Sequence, residues 1–385
     1  VRRTVFTEDH EAFRETIRNF VAKEVAPVYP EWEAAGHPPR ELFRKLGELG
    51  VLGIEVPEEY GGGGQRGFTY QAVVGEETFG PGYMLGGSNV HSNIVMPYFV
   101  KYGTQEQKQR WLPRCVTGEL MTAIAMTEPG TGSDLAGIRT TAGLSEDGTH
   151  YILNGAKTFI SGGFMADLVL VVCRTSPATP DNRRGGLSLL VVETDSEGFA
   201  VGRVLDKIGF KTSDTAELSF SDVRVPVENL LGEEGAAFSY LGANLVQERL
   251  GIAVETCAQA DWAIRYTLEY VRNRKVFGQP VAAFQNTKFV LAECAAEVEA
   301  ARALVDRCLQ LRETDELTAA DAAKAKLFCT EVAGRVIDKC LQLHGGYGYM
   351  REYPIARLYS DIRVTRIVGG TSEVMKSVIS KDLGL

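Results

Sequence analysis

Glu248 stands among Leu241, Leu245 and Ile252 at spacings of four, three and four residues, which places all of them on one stripe of a helix. A carboxylate on an inward apolar stripe is costly unless it is paired or functional. An apolar pocket raises such a carboxyl's pKa toward neutrality, where it serves as a general base. Arg249 is its neighbour in sequence, but adjacent helix residues face apart, so a purely structural Glu248–Arg249 pair is the weaker reading. Glu255, one heptad further on, is the rival carboxylate.

A second candidate is Met126-Thr127-Glu128-Pro129-Gly130-Thr131-Gly132-Ser133-Asp134. Its hydroxyls and small residues let backbone N–H groups face an anion or the edge of a polar ring. A structural loop of Ser, Thr and Asp turns accounts for the same residues equally well. Gly62, Gly64 and Gly67 satisfy GxGxxG, but no strand precedes them and no βαβ unit surrounds them, so they read as a loop between helices. The five histidines show no metal-ligand spacing, and the seven cysteines never form a CxxC pair. No metal is expected, and the thiols fit a reducing compartment.

The elements that must position these groups change character twice. Residues 9–25 carry Phe13, Ile17, Phe20, Val21 and Val25 at helical spacing, and a second helical segment runs from Pro39 to a stop at Gly50. From about Met121 to Leu231 the period shortens to that of strands, at 151–153, 168–172, 187–192 and 217–220. Asp147-Gly148, Asn154-Gly155 and Gly185-Gly186 read as the turns between them. Long helical segments follow, clearest at 261–274, 284–312 and 318–344. The fold expected is α+β: an N-terminal helical domain (1–122), a middle domain (123–233) that reads as a small β-barrel or sandwich, and a C-terminal helical domain (234–385). With 385 residues, 44% of them hydrophobic, the chain can bury a large core. Its net charge of −9 argues against nucleic acid as the main partner. No apolar run reaches the roughly 20 residues of a membrane span.

Thr127-Glu128-Pro129 with Gly132-Ser133-Asp134 resembles the flavin-binding signature of the acyl-CoA dehydrogenase family. Gly155-Ala156-Lys157-Thr158-Phe159-Ile160-Ser161-Gly162 and Arg274-Lys275-Val276-Phe277-Gly278 resemble its second and third flavin segments. Gln342-Leu343-His344-Gly345-Gly346-Tyr347-Gly348 and Gly370-Thr371-Ser372-Glu373 complete the set, in family order over nearly the whole chain. The resemblance implies a β-barrel for the middle domain, a four-helix bundle for the C-terminal domain and one FAD per subunit. Met126, Thr127, Gly132 and Ser133 would meet the flavin ring and pyrophosphate, and Phe159 and Ser161 a face and an edge of the isoalloxazine. Phe159 stands where many relatives have tryptophan. Arg274, Phe277, Gln342 and Gly346 would reach the FAD of a neighbouring subunit, and Thr371 and Glu373 the adenosine half.

Many relatives carry the base as a glutamate directly before Gly-Thr. Here that position is Gly369, in Ile367-Val368-Gly369-Gly370-Thr371, which cannot take a proton. Gln247-Glu248-Arg249-Leu250 resembles the long-chain and isovaleryl branches, which keep the base on the first helix of the C-terminal domain. The resemblance therefore assigns Glu248 as the base, with Arg249, Ser133, Gly369 and Val368 toward the substrate. It implies α,β-dehydrogenation of a saturated acyl-CoA of medium, long or branched chain to the trans-2-enoyl thioester. Val368 suggests a pocket entrance less obstructed than an aromatic residue would give. Further implications are electron-transfer flavoprotein as acceptor, a homotetramer built as a dimer of dimers, and a bacterial cytoplasm, or a mitochondrial matrix if a leader was removed. Three alternatives stay open: an oxidase, a dehydrogenase acting on carrier-protein thioesters, and a catalytically silent flavoprotein scaffold.

Overall fold

The computed structural model describes residues 2–179 and 181–385. Its first third is helical: α1 (Glu8–Phe20), α2 (Tyr29–Ala35), α3 (Glu41–Glu48), α4 (Thr69–Phe79), α5 (Met96–Tyr102) and α6 (Gln105–Val116). A π-helical turn, Val21–Val25, continues α1, so the apolar period over residues 9–25 is one run. A second π turn, Val90–Val95, leads into α5. Such wide turns often mark functional sites. The glycine-rich segment is a loop, pinned as Gly63, Gly64 and Gln65 donate to the carbonyls of Gly53, Val56 and Ile54.

Seven strands form the middle layer: β1 (Thr122–Ala125), β2 (Thr141–Leu144), β3 (His150–Ser161), β4 (Leu168–Arg174), β5 (Leu187–Glu193), β6 (Phe199–Val204) and β7 (Thr215–Pro226). Their order is β1-β4-β2-β3-β7-β6, with β5 also on β4. The sheet is an open half-barrel, because β6 pairs only with β7. Asn154-Gly155 is not a turn. It is a bulge inside β3, where the register against β7 shifts between Leu153 and Gly155. Gly155 has φ +152°, and a Cβ there would meet Thr140 Oγ1 at 2.5 Å, so close approach to the next strand explains the glycine.

The last third contains α7 (Ala237–Asn273), the short hairpin β8 (Lys275–Val276) and β9 (Gln279–Pro280), then α8 (Gln285–Glu313), α9 (Ala319–His344), α10 (Pro354–Ile362) and α11 (Ser372–Asp382). The helix read at 261–274 is the end of α7, a single helix of 37 residues. The strand-poor sequence between 235 and 261 gave no boundary inside it. Ala253, Ala260, Ala263, Ala325 and Ala333 are buried where α7, α8 and α9 meet, and these small side chains let the helices pack closely. Helix α4 lies against α7 as well, so the N-terminal layer covers the helix that carries Glu248.

Candidate active site

Three regions converge around the middle of α7. Residues 249–251 and 253–257 are buried, whereas Leu245, Glu248 and Ile252 keep partial exposure. That is the pattern of side chains lining a cavity rather than filling a core. Glu248 Oε1 has no accessible surface and no hydrogen-bond partner among the described residues. Burial pushes its carboxyl up to about 7 against the opposing pull of Arg249. An unpartnered buried carboxylate oxygen is a costly arrangement and a functional signal.

Arg249 turns the other way. Its Nε donates to the carbonyl of Gly369 at 3.2 Å, and the Lys326 ammonium donates to the next carbonyl, Gly370, at 2.5 Å. Lys326 is buried, and burial followed by the nearby Arg249 charge lowers its pKa to about 8. Two cations thus clamp the turn Gly369-Gly370, whose φ values of +63° and +95° need glycine. The N–H of Gly369 donates to no acceptor among the described residues, while Val368 beside it is exposed. Arg249 therefore holds the turn at Gly369, a partner its sequence neighbourhood did not reveal. Thr371 caps α11 by accepting from Val374 N–H, and Glu373 is exposed on that helix's first turn.

The loop after β1 carries Met126, Thr127, Gly132 and Ser133. Thr127 O accepts from Thr158 N–H at 2.9 Å, which lays Met126 and Thr127 alongside the stretch that holds Phe159. Glu128 and Lys157 tie these segments together from inside. The Lys157 ammonium lies 3.0 Å from Glu128 Oε1 and 2.9 Å from Met126 O, and both side chains are buried. Burial opposes ionisation of Glu128, but the Thr140 hydroxyl, Lys157 and two backbone N–H groups outweigh it and hold the carboxyl below its ordinary value. Burial also lowers the Lys157 pKa, against the attraction of Glu128. Neither residue was singled out from the sequence. Their only signal was a charge in each of two motifs.

Phe159 is 66% exposed at φ +59°, where the β3 register shifts between Lys157 and Ile160. A left-handed phenylalanine costs roughly 1–3 kcal/mol and points to a functional constraint. Gly132 and Ser133 are also exposed, with open space around Gly132, and Ser161 ends β3 half-buried. An exposed aromatic face, free loop N–H groups and an open cradle fit a planar ring with an anionic tail, the chemistry of FAD.

Arg274, Gln342 and Gly346 gather elsewhere, around a cavity of about 620 Å³ at the C-terminal ends of α7 and α9. The Arg274 guanidinium lies 5.3 Å from the Tyr347 ring centre. Phe277, 96% exposed with φ +50°, projects from the β8–β9 hairpin. Within the described residues, no cluster of His, Cys, Asp or Glu has a metal-binding arrangement.

Three family models cover this architecture in order: the acyl-CoA dehydrogenase N-terminal domain over residues 7–119, the middle domain over 123–223 and the C-terminal domain over 236–384. The chain belongs to the acyl-CoA dehydrogenase family. It is an FAD-dependent oxidoreductase acting on the CH–CH bond of an acyl-CoA. Among curated relatives, the mitochondrial long-chain specific acyl-CoA dehydrogenase of Sus scrofa is 46% identical over 385 residues, covering 99% of this chain and 88% of that one. A crystal structure of an acyl-CoA dehydrogenase from Geobacillus kaustophilus is 48% identical, covers both chains fully and superposes with a TM-score of 0.96. An acyl-CoA dehydrogenase complexed with FAD from Bacillus anthracis is 33% identical, with a TM-score of 0.89 over 98% of this chain and 67% of that one.

Proposed function

We propose that Glu248 is the base that removes the α-proton of a medium- to long-chain or branched acyl-CoA, and that Arg249 is a positioning residue acting through Gly369. The observation that carries this reading is the unpartnered Glu248 Oε1 on α7, one turn from Ile252, which touches Gly369 in place of a side chain. A carboxyl with a pKa of about 7 is ionised in part at neutral pH and keeps enough basicity to accept a proton from carbon. As charge develops on the thioester oxygen, the N–H of Gly369, aimed by the Arg249 clamp on its carbonyl, donates to it. FAD, held by Met126, Thr127, Gly132, Ser133, Phe159 and Ser161, supplies the acceptor for the β-hydrogen when bound.

Arg274, Phe277, Gln342 and Gly346 serve the FAD of a neighbouring subunit in a homotetramer, and Thr371 and Glu373 lie near the adenosine half. The strongly exposed Phe277 and the cavity beside Arg274 support that assembly. Electron-transfer flavoprotein is the acceptor that fits the family. Seven free, buried cysteines suit a reducing compartment, a bacterial cytoplasm or a mitochondrial matrix, and no helix among the described residues is long and apolar enough to cross a membrane.

A panel of acyl-CoA thioesters from short to long chain, scored by anaerobic bleaching of the flavin, tests the reading. Bleaching that strengthens toward medium and long chains supports it. A flavin bleached by none of them contradicts it.

A further inference from the structure

We propose that Glu255, with Asn89, Ser92 and Asn93, forms a hydrogen-bonding end site for an acyl chain that carries a hydroxyl about eight or nine bonds beyond its α-carbon. This specificity site rests on the reading of Glu248 as the base. Glu248, Ile252 and Glu255 follow at spacings of four and three, so they share one face of α7. A rise of about 1.5 Å per residue sets Glu255 roughly 10 Å further along that face. An extended chain advances about 1.2 Å per bond, which gives the reach of about eight or nine bonds.

The chamber at that depth is built from three elements. Gly75 on α4 brings the helix flush to Glu255, since a Cβ there would stand 3.4 Å from Glu255 Cγ. Asn89, at the start of the π turn, donates from Nδ2 to Glu255 Oε1 at 2.9 Å, and Asn93 donates to Asn89 Oδ1. Two further polar atoms, Ser92 Oγ and Asn93 Oδ1, are buried and have no hydrogen-bond partner among the described residues. These groups line a cavity of about 20 Å³, the size of one water or one hydroxyl. Ser92 also lines the larger cavity of about 310 Å³ that runs along Met96, Asn244 and Gln247, one turn of α7 before Glu248. Ser92 is thus a wall shared by the chamber and the larger cavity.

A terminal methyl would leave Ser92 Oγ and Asn93 Oδ1 unsatisfied, whereas a hydroxyl both donates and accepts there. Sites built to hydrogen-bond a hydroxyl discriminate against analogues that lack it far more sharply than apolar pockets discriminate by size. Burial also raises the Glu255 carboxyl to about 8, against the Asn89 hydrogen bond, so at neutral pH it carries a proton of its own to donate.

The test compares kcat/KM for decanoyl-CoA and 10-hydroxydecanoyl-CoA, and for the eight-carbon pair, with the FAD-loaded enzyme. The expected result is a preference of about tenfold for the hydroxylated ten-carbon thioester, equivalent to about 1.4 kcal/mol, and none for the shorter pair. Glu255→Gln, which keeps a donor and an acceptor, retains the preference, and Glu255→Leu loses it. Equal kcat/KM for the two ten-carbon substrates, or the same preference at eight carbons, overturns the end site while leaving Glu248 as the base. Absence of turnover with every thioester overturns the underlying reading, and the end site with it.

Discussion

A Cβ at position 369 would lie 2.7 Å from Ile252 Cδ1, one helical turn beyond Glu248. Gly369 also has φ +63°, so a side chain there would be strained and would displace the end of Ile252. The proposed base, Glu248, and the glycine opposite it are a matched pair. Gly369→Ala should lower thermal stability, with about 1–2 kcal/mol from the left-handed conformation alone and more from displacing Ile252. Combining Glu248→Gly with Gly369→Glu should leave the flavin unbleached by acyl-CoA. Recovery of turnover in that double variant would show that the turn accepts a glutamate after all.

The pH dependence has opposite signs in activity and in stability. Glu248 acts ionised, so kcat/KM should rise through about pH 7, where burial has moved its pKa, and level off above it. An unfolded glutamate ionises near about 4.3. Between that pH and about 7, the native form keeps a proton that the unfolded chain has lost, so stability falls as pH rises through this window. Glu255, raised by burial to about 8 against the Asn89 hydrogen bond, extends the same trend upward. The gain in Tm of Glu248→Gln over the wild type should therefore widen from about pH 5 to about pH 7. A gap independent of pH would mean that Glu248 titrates as an ordinary carboxylate.

Lys157 and Glu128 form a buried pair that joins the two flavin segments. Lys157→Met leaves Glu128 buried without its cation and should cost about 3–5 kcal/mol, measured by denaturant unfolding, with FAD lost on gel filtration. Adding Glu128→Gln to that variant should recover part of the stability. An additive double variant would show that the two charges do not interact.

Much of this was legible in the sequence. The three-layer order, the helices at 284–312 and 318–344 and the isolated carboxylate on α7 follow from periodicity and spacing, which act locally. The rest was hidden because it is made by residues far apart in the chain. Arg249 meets Gly369 across 120 positions, and Asn89 meets Glu255 across 166. No helical or strand period encodes either contact. The bulge at Gly155 also misled, since Asn-Gly signals a turn unless a neighbouring strand comes as close as Thr140 does here.

Phe159 offers a test in which stability and binding move apart. Phe159→Gly relieves a strained left-handed residue whose ring is largely exposed, so stability of the flavin-free protein should rise by roughly 1 kcal/mol. FAD affinity should fall, because the proposed flavin site offers this exposed ring to the isoalloxazine. Unchanged FAD affinity by fluorescence titration would remove Phe159 from the flavin site.

The central claim is that Glu248 takes the α-proton. The most direct measurement is to mix FAD-loaded Glu248→Gln with a saturated acyl-CoA anaerobically in deuterated water, following both the flavin absorbance and deuterium at the α-carbon. The account predicts bound yellow flavin, bleaching slowed by at least about 10²-fold and no α-deuterium. Bleaching at the wild-type rate would contradict it.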